Sequence, residues 1–333
     1  MLRRQDVGHR VVVRRIVGVT RDRPLFTDAL GELVELTETE LTLATAQGTL
    51  RVPLREVHRA KRVPPARRPP AAEVAALELA ANEAWPAPVQ ARLGSWILRA
   101  AENWTGRANS ALAVGDPDRP LEAAVDAVVG WYASLGQRPL ITAPMPLAAP
   151  VNTALDERGW TARPLVLVQT ARLAALPAGP ERRDLPPVEL AGVPTEDWFA
   201  MVAEHKGTLP EAARRVLTGV PEAVFAHVHD AGGGLLAIAR GTVTGPARWL
   251  GISLLPTVPA ARRQGLGRHV VLAMAEWAAR RGAVRAYLQV EEHNPAAVAL
   301  YQRLGFSTHH TYLTREAPPP IAARPGAAGP HAC

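Results

Sequence analysis

The chain has 333 residues, 47% of them hydrophobic and 21% charged, and its 38 Lys plus Arg against 31 Asp plus Glu give a formal charge of +7. This composition excludes a fibrous, collagen-like or wholly disordered chain and allows two or three domains. The single cysteine, Cys333, is the last residue, which excludes an internal disulfide framework and a thiolate metal cage and makes a reducing, cytoplasmic setting the expectation.

Only Lys61 and Lys206 are lysines, so the basic charge is arginine, scattered rather than drawn into a stripe. The N-terminal MLRRQDVGHRVVVRRIVGV has charges inside its apolar run, and no signal peptide is read there. No run of about 18 apolar residues exists to span a bilayer, so no membrane partner is expected.

Residues 1–63 read as short strands at 10–16, 31–36, 40–44 and 49–53, rich in Val, Leu and Thr and parted by turn residues. Strands at that spacing in about 60 residues suggest a small closed barrel that hides its edges. A Pro/Arg linker follows at 64–72, because prolines remove backbone donors and stop helices. Residues 73–173 then alternate helix and strand: helix 73–85, strands 96–101 and 109–114, helix 121–135, strand 140–143, helix 151–157 and strand 165–170. A second Pro-rich linker covers 174–188.

A similar order recurs over 189–316. It comprises helix 195–206, strands 223–229, 235–243 and 249–255, helix 265–281, strand 284–290, helix 295–304 and strands near 306–314. The segments read as a diverged repeat, with Arg158-Gly-Trp160 where the second has Leu304-Gly-Phe306. Residues 317–333 are Pro- and Ala-rich and are expected to be disordered.

The chemistry is written in 249–306. Arg262-x-x-Gly265-x-Gly267 follows a strand and opens a helix, where unpaired N–H groups and the positive dipole end favour an anion and glycines allow its close approach. Gly-Lys-Ser/Thr is absent, and Val270 stands where a dinucleotide fingerprint needs its third glycine, so neither a P-loop nor a Rossmann site is read. About 27 residues on, Asn294 and Pro295 suit the cap and first turn of a helix that carries Tyr301. Taken without the glycine loop, Tyr301 reads as one more packing residue.

Together, TVPAARRQGLG and NPAAVALYQRLGF resemble the GNAT (GCN5-related) N-acetyltransferase superfamily, strongly over about 190–316 and weakly over 73–173, which lacks the glycine loop. The segment TDALGELVELTETELTLATAQGTLRVPLREVHRAKRVPP resembles the SH3-like barrel at the front of some actinobacterial acetyltransferases. The fold class implied is an α/β GNAT fold, a mixed sheet flanked by helices, behind a small all-β barrel. The resemblance implies acetyl-CoA as cosubstrate. Arg262, Arg263, Gln264, Gly265, Leu266, Gly267 and Arg268 fall on the pyrophosphate loop, Leu255 and Thr257 on the strand that pairs with pantetheine, Asn294 on the cofactor-contacting asparagine, and Tyr301 on the general acid. Thr257 stands where valine is commoner.

Acyl transfer to an amine needs a neutral nucleophile, donors for the oxyanion and a proton for the departing thiolate. Tyrosine's reference pKa near 10 against about 8.5 for a thiol makes that last transfer slightly uphill without any large environmental shift. For the base, Glu291 ranks ahead of Glu292, Glu204 and His205. The acceptor expected is a primary amine, on an amino acid, a small amine or a protein, and monomer or homodimer is left open. Arg107-Ala-Asn109-Ser110 either reaches an acceptor across the repeat or ties a strand to a loop. The histidines form no metal-ligand pattern, and no metal is expected. The rival reading is a binding module in which the second segment senses acetyl-CoA while the barrel holds a protein or nucleic acid. Nucleic acid ranks low because Phe26 is the only Phe, Tyr or Trp in residues 1–63.

Overall fold

The computed structural model describes residues 2–20, 23–45, 48–63, 69–177 and 184–319. Parts of both expected linkers, 64–68 and 178–183, and residues 320–333 of the expected tail lie outside the described residues. The chain divides into two compact units, 1–68 and 69–333.

In the first unit β1 (Arg10–Thr20), β2 (Arg23–Leu36), β3 (Glu40–Thr45), β4 (Gly48–Pro53) and β5 (Val57–Arg62) form an antiparallel sheet in the order β4-β3-β2-β1-β5. Alternate residues Val11 and Val13, Leu33, Leu41 and Leu43, and Val52 bury its core. Two elements depart from the sequence expectation. β2 begins at Arg23 rather than 31 and pairs along β1 from Arg10↔Glu32 to Thr20↔Arg23. β5, VHRAKR, buries none of its residues, so no apolar alternation marks it; it is a charged edge strand.

The second unit begins with α1 (Ala71–Glu83), β6 (Val89–Leu93), β7 (Trp96–Ala100), β8 (Ala111–Leu112), α2 (Leu121–Ser134), β9 (Leu140–Met145), α3 (Ala149–Glu157), β10 (Thr161–Ala162) and β11 (Val166–Arg172). It continues with β12 (Glu189–Ala191), α4 (Glu196–Lys206), α5 (Glu211–Thr218), β13 (Ala223–His229), β14 (Leu235–Thr244), β15 (Trp249–Ser253), α6 (Leu266–Ala279), β16 (Arg285–Glu291), α7 (Pro295–Arg303) and β17 (Ser307–Glu316). β6 and β12 are short and carry little periodic apolar pattern, whereas α5 buries Ala212, Ala213, Val216 and Leu217 at helical spacing and escapes a sequence reading because it has only eight residues. The strand expected at 109–114 is only Ala111–Leu112, because Arg107–Asn109 coil into a 3₁₀ turn.

One sheet runs through the whole unit in the order β12-β13-β14-β15-β16-β11-β17-β9-β8-β7-β6, with β10 beside β17. The two segments therefore exchange strands. β11, from the first segment, lies between β16 and β17 of the second, paired from Val166↔Glu291 to Arg172↔Arg285 on one side and from Val166↔Tyr312 to Thr170↔Ser307 on the other. The far half of β17 in turn pairs with β9, from Thr311↔Met145 to Glu316↔Leu140. α1 is shared as well: Ala80 accepts from Thr244 Oγ1 at 2.8 Å, and Leu77, Ala81 and Ala84 pack with Trp249 and Tyr287.

α6 buries Leu266, Val270, Val271, Met274, Trp277 and Ala278 against β13, β14 and β15. Described residues of the expected 174–188 linker pack on the same core through Leu176, Leu185 and Val188. Ala317, first residue of the expected tail, is buried and donates its N–H to Pro139 O at 3.1 Å.

A fragment starting at residue 184 lacks β11 and leaves the edges of β16 and β17 unpaired. It is expected to give no cooperative transition in scanning calorimetry where the full chain gives one.

Candidate functional site

β15 and β16 run parallel in register from Trp249↔Arg285 to Ile252↔Leu288, and their pairing ends there. Leu254 then takes φ 52, a left-handed conformation that costs a leucine about 1–2 kcal/mol. The turn carries the chain back onto β14, where Ile238 N–H donates to Pro256 O at 3.3 Å and Val258 N–H to Leu236 O at 2.9 Å. Those two bonds, about 0.5–1.5 kcal/mol each, and the packing of Leu254 beside Trp198 and Trp104 offset the cost. β16 meanwhile continues beside β11 to Glu291. The two strands open into a V. Since Pro256 O and Val258 N–H face β14, the N–H groups of Leu255 and Thr257 face the opening, and neither has a backbone partner among the described residues.

The glycine loop closes one side of that V. Arg263 (φ 67) and Gly265 (φ 98, ψ 0) are both left-handed, which turns successive N–H groups towards one concave side. The helical bonds of α6 begin with His269 N–H to Gly265 O at 3.0 Å, so the N–H groups of residues 263–268 have no backbone partner among the described residues. Side chains fix the loop. Arg262 Nε donates to Thr257 O (3.2 Å), Gln264 Nε2 to Ala260 O (3.1 Å) and Arg268 Nη2 to Pro177 O (3.2 Å), while Arg263 is exposed. A Cβ on Gly267 would stand 3.0 Å from Leu300 Cδ2 and 3.7 Å from Leu255 Cδ2, so this glycine lets the loop, the end of β15 and α7 meet. Leu266 is buried beneath. Six free donors, a helix start and three arginines suit a diphosphate.

α7 is capped as its sequence leads one to expect: Asn294 Oδ1 accepts from Ala297 N–H at 3.1 Å and Pro295 fills the first turn. Tyr301, one residue beyond Leu300, is 9% exposed and packs at 5.9 Å from the Phe306 ring. Burial pushes its phenol up to about 12, and its hydroxyl has no hydrogen-bond partner among the described residues. Thus the structure brings the 262–268 loop against Leu255, Thr257 and Leu300, with Tyr301 the next residue of α7.

Glu291 lies elsewhere. Leu288 and Val290 join the core under α6 and α7, so by strand alternation Glu291 is on the opposite face of β16 from Tyr301. It is exposed, and its Oε2 lies 3.1 Å from His293 Nε2. Burial, Lys206 and Arg262 lower the pKa of His205, which sets the end of α4 beside the loop.

The face away from α6 also holds polar groups that sequence reasoning missed. Tyr312 donates to Gln289 Oε1 at 3.2 Å, and buried Glu78 Oε1 lies 2.8 Å from His310 Nε2. They come from α1, β16 and β17, and no local spacing announces them. Among the described residues no three His, Cys, Asp or Glu side chains gather as metal ligands, and no helix is long and apolar enough to cross a membrane.

A protein family described as "Probable histone acetyltransferase Rv0428c C-terminal" matches residues 71–314. The probable histone acetyltransferase Rv0428c of Mycobacterium tuberculosis (strain ATCC 25618 / H37Rv) is 31% identical over 322 residues, covering 91% of this chain and 93% of the relative. An uncharacterized N-acetyltransferase, YobR, of Bacillus subtilis (strain 168) is 27% identical over 253 residues, covering 73% and 99%. Among solved structures, a GCN5-related N-acetyltransferase from Kribbella flavida superposes with a TM-score of 0.59 at 17% identity, over 76% of this chain and 97% of that one, a likeness of fold.

Gly265→Ala forces a side chain into a left-handed site. It is expected to lower stability by about 1–2 kcal/mol in urea unfolding and to weaken calorimetric binding of inorganic pyrophosphate; unchanged binding would remove the loop as the anion site.

Proposed function

The chain belongs to the Rv0428c C-terminal family and is a GNAT-type N-acetyltransferase, and we propose that it transfers an acetyl group from acetyl-CoA to a primary amine by direct attack in a ternary complex. The observation that carries this reading is the V between β15 and β16 with six unbonded N–H groups, those of residues 263–268, at one side. In it, Arg262, Arg263, Gln264, Gly265, Leu266, Gly267 and Arg268 surround the diphosphate of the cosubstrate. Leu255 and Thr257 pair with its pantetheine arm, and Asn294 and Tyr301 line the far wall.

The amine nitrogen attacks the thioester carbonyl carbon, a C–N bond forms and the C–S bond breaks. The Leu255 N–H faces the carbonyl oxygen as charge develops there. Tyr301 gives its proton to the departing sulfur. A phenol held near 12 stays protonated throughout the neutral range, so the acid is always loaded. The proton lost by the amine passes through water to Glu291, on the other face of β16. An acid and a base on opposite faces suit an amine and a thiol that reach one carbonyl from opposite sides. No acyl-enzyme is needed, and the only cysteine is Cys333.

The same reading takes residues 73–173 as a diverged GNAT copy without a glycine loop and residues 1–63 as an SH3-like barrel. The exchange of β11 and β17 across the sheet supports the first, and the five-stranded antiparallel sheet supports the second.

Calorimetric titration of acetyl-CoA into the full chain is expected to show one site, and absence of heat at any concentration would remove the reading. Tyr301→Phe should leave acetyl-CoA affinity within a few-fold while lowering kcat by about 10²-fold or more, assayed as thiol release. In the wild type kcat should show no falling limb below about pH 10, because the folded phenol loses its proton only near 12. A limb below that pH which vanishes in Tyr301→Phe would contradict its assignment.

A further inference from the structure

The sheet face away from α6 gathers more positive charge than it neutralises. Arg240 on β14 is 1% exposed and donates to the carbonyls of Leu217 (2.8 Å), Ala84 (2.9 Å) and Val216 (3.4 Å). Arg99 on β7, also buried, donates to Ser110 O (2.8 Å), Ser110 Oγ (3.0 Å) and Asn82 Oδ1 (3.2 Å). Burial lowers them to about 9 and about 10, so both stay charged at neutral pH. Their partners are neutral oxygens. The buried carboxylate of this face, Glu78, is engaged with His310.

A third arginine lies on the same face, beside Arg240. Arg107 lies 5.3 Å from the centroid of the Trp85 ring, which Arg240 approaches at 5.5 Å. Its positive charge also acts on the buried Tyr312 phenol, opposing the rise that burial causes, and that hydroxyl donates to Gln289 Oε1 at 3.2 Å. Gln289 is the first residue of β16 beyond its last pair with β15. Unlike Arg99 and Arg240, Arg107 is only partly buried, and no carboxylate forms an ion pair with it among the described residues.

The loop that presents Arg107 is rigid. Glu102 (φ 48), Asn103 (φ 60) and Thr105 (φ 61) are all left-handed without being glycine. Asn109, 3% exposed, holds them: its Oδ1 accepts from Ala101 N–H (2.7 Å) and Asn103 N–H (3.1 Å), and its Nδ2 donates to Trp104 O and Thr105 O, each at 2.8 Å. Trp104 stacks on Trp85 at 5.5 Å, with planes 11° apart. Such conformations survive only where the surroundings over-determine them, and they cluster at ligand sites. Asn109 and Ser110 are thus ties, and Arg107 is the residue they aim.

We infer that Arg107 binds a carboxylate of the acceptor, so that the substrate is a small amine of the amino-acid type, held by its carboxylate over the V with its nitrogen directed between β15 and β16. This rests on the acetyltransferase reading above. A guanidinium fork matches a carboxylate with two parallel hydrogen bonds. A polyamine or a lysine-rich peptide would instead meet Arg99, Arg107 and Arg240 against one buried carboxylate, Glu78, already engaged with His310.

The test uses the full chain with acetyl-CoA and matched acceptors: the common L-amino acids, their carboxamides, spermidine and a lysine-rich peptide, followed by thiol release. The expected result is that at least one free acid is used about 10- to 100-fold better in kcat/KM than its carboxamide. Arg107→Met should collapse that ratio by raising KM for the acid while KM for acetyl-CoA holds, and Arg107→Lys should fall between. Equal or better use of the carboxamides, spermidine or the peptide overturns the inference, as does an unchanged ratio in Arg107→Met. The wild-type comparison stands even if a variant fails to fold. Should acetyl-CoA bind and no amine react, the acetyltransferase reading fails on its own. The carboxylate site is then read by thermal shift: stabilisation by free acids and not carboxamides, lost in Arg107→Met, supports it, and stabilisation that ignores the carboxylate overturns it.

Discussion

Everything at the site depends on β16 having two unequal neighbours. On one side β11 pairs with it along its whole length. On the other, β15 leaves after Ile252 because Leu254 turns left-handed and the chain re-forms its bonds with β14. A parallel pair that stayed zipped would present a closed, bonded surface. Unzipped over a few residues, it leaves the N–H groups of half-buried Leu255 and Thr257 without a backbone partner among the described residues. The opening stays put because β11 prevents β16 from following β15. An extended ligand that supplies acceptors along its length recovers those bonds, as another strand would.

The charges are divided by the same opening. One mouth, under α6, is lined by backbone N–H groups and by arginines whose side chains are partly tied to carbonyls. The sheet face away from α6 holds buried Arg99 and Arg240, and Arg107 and Arg240 both approach the Trp85 ring. Both regions favour anions, but their shapes differ. The first is a concave turn of amides, whereas the second offers a planar guanidinium against an indole ring.

How much of this is legible in the sequence follows from distance along the chain. The loop at 262–268, the cap at Asn294 and the helix carrying Tyr301 are local features, written in glycine, proline and asparagine at fixed spacing, and the structure places those helices as the spacing suggests. The five strands of the first unit are legible only where one face is buried, which is why β5, buried nowhere, leaves no trace. What sequence reading could not supply is pairing. A run such as VLVQTAR says that it is a strand and not whose neighbour it is, so β11 reads as the end of the 73–173 segment when it lies between two strands of the 189–316 segment. Arg107 is visible as a residue, but its place beside Trp85 depends on Asn109 folding a loop of left-handed residues.

The exchange of strands also bears on how such a chain can change over evolutionary time. A segment without a ligand loop of its own is ordinarily free to decay or be deleted. Here β11 lies between β16 and β17, and β17 pairs with β9 in the same sheet, so selection for a folded product alone is enough to retain residues 69–172, with or without a ligand of their own. A segment kept for that reason can drift at its surface, and a side chain such as Arg107, held against Trp85, is then open to recruitment without any new domain being acquired.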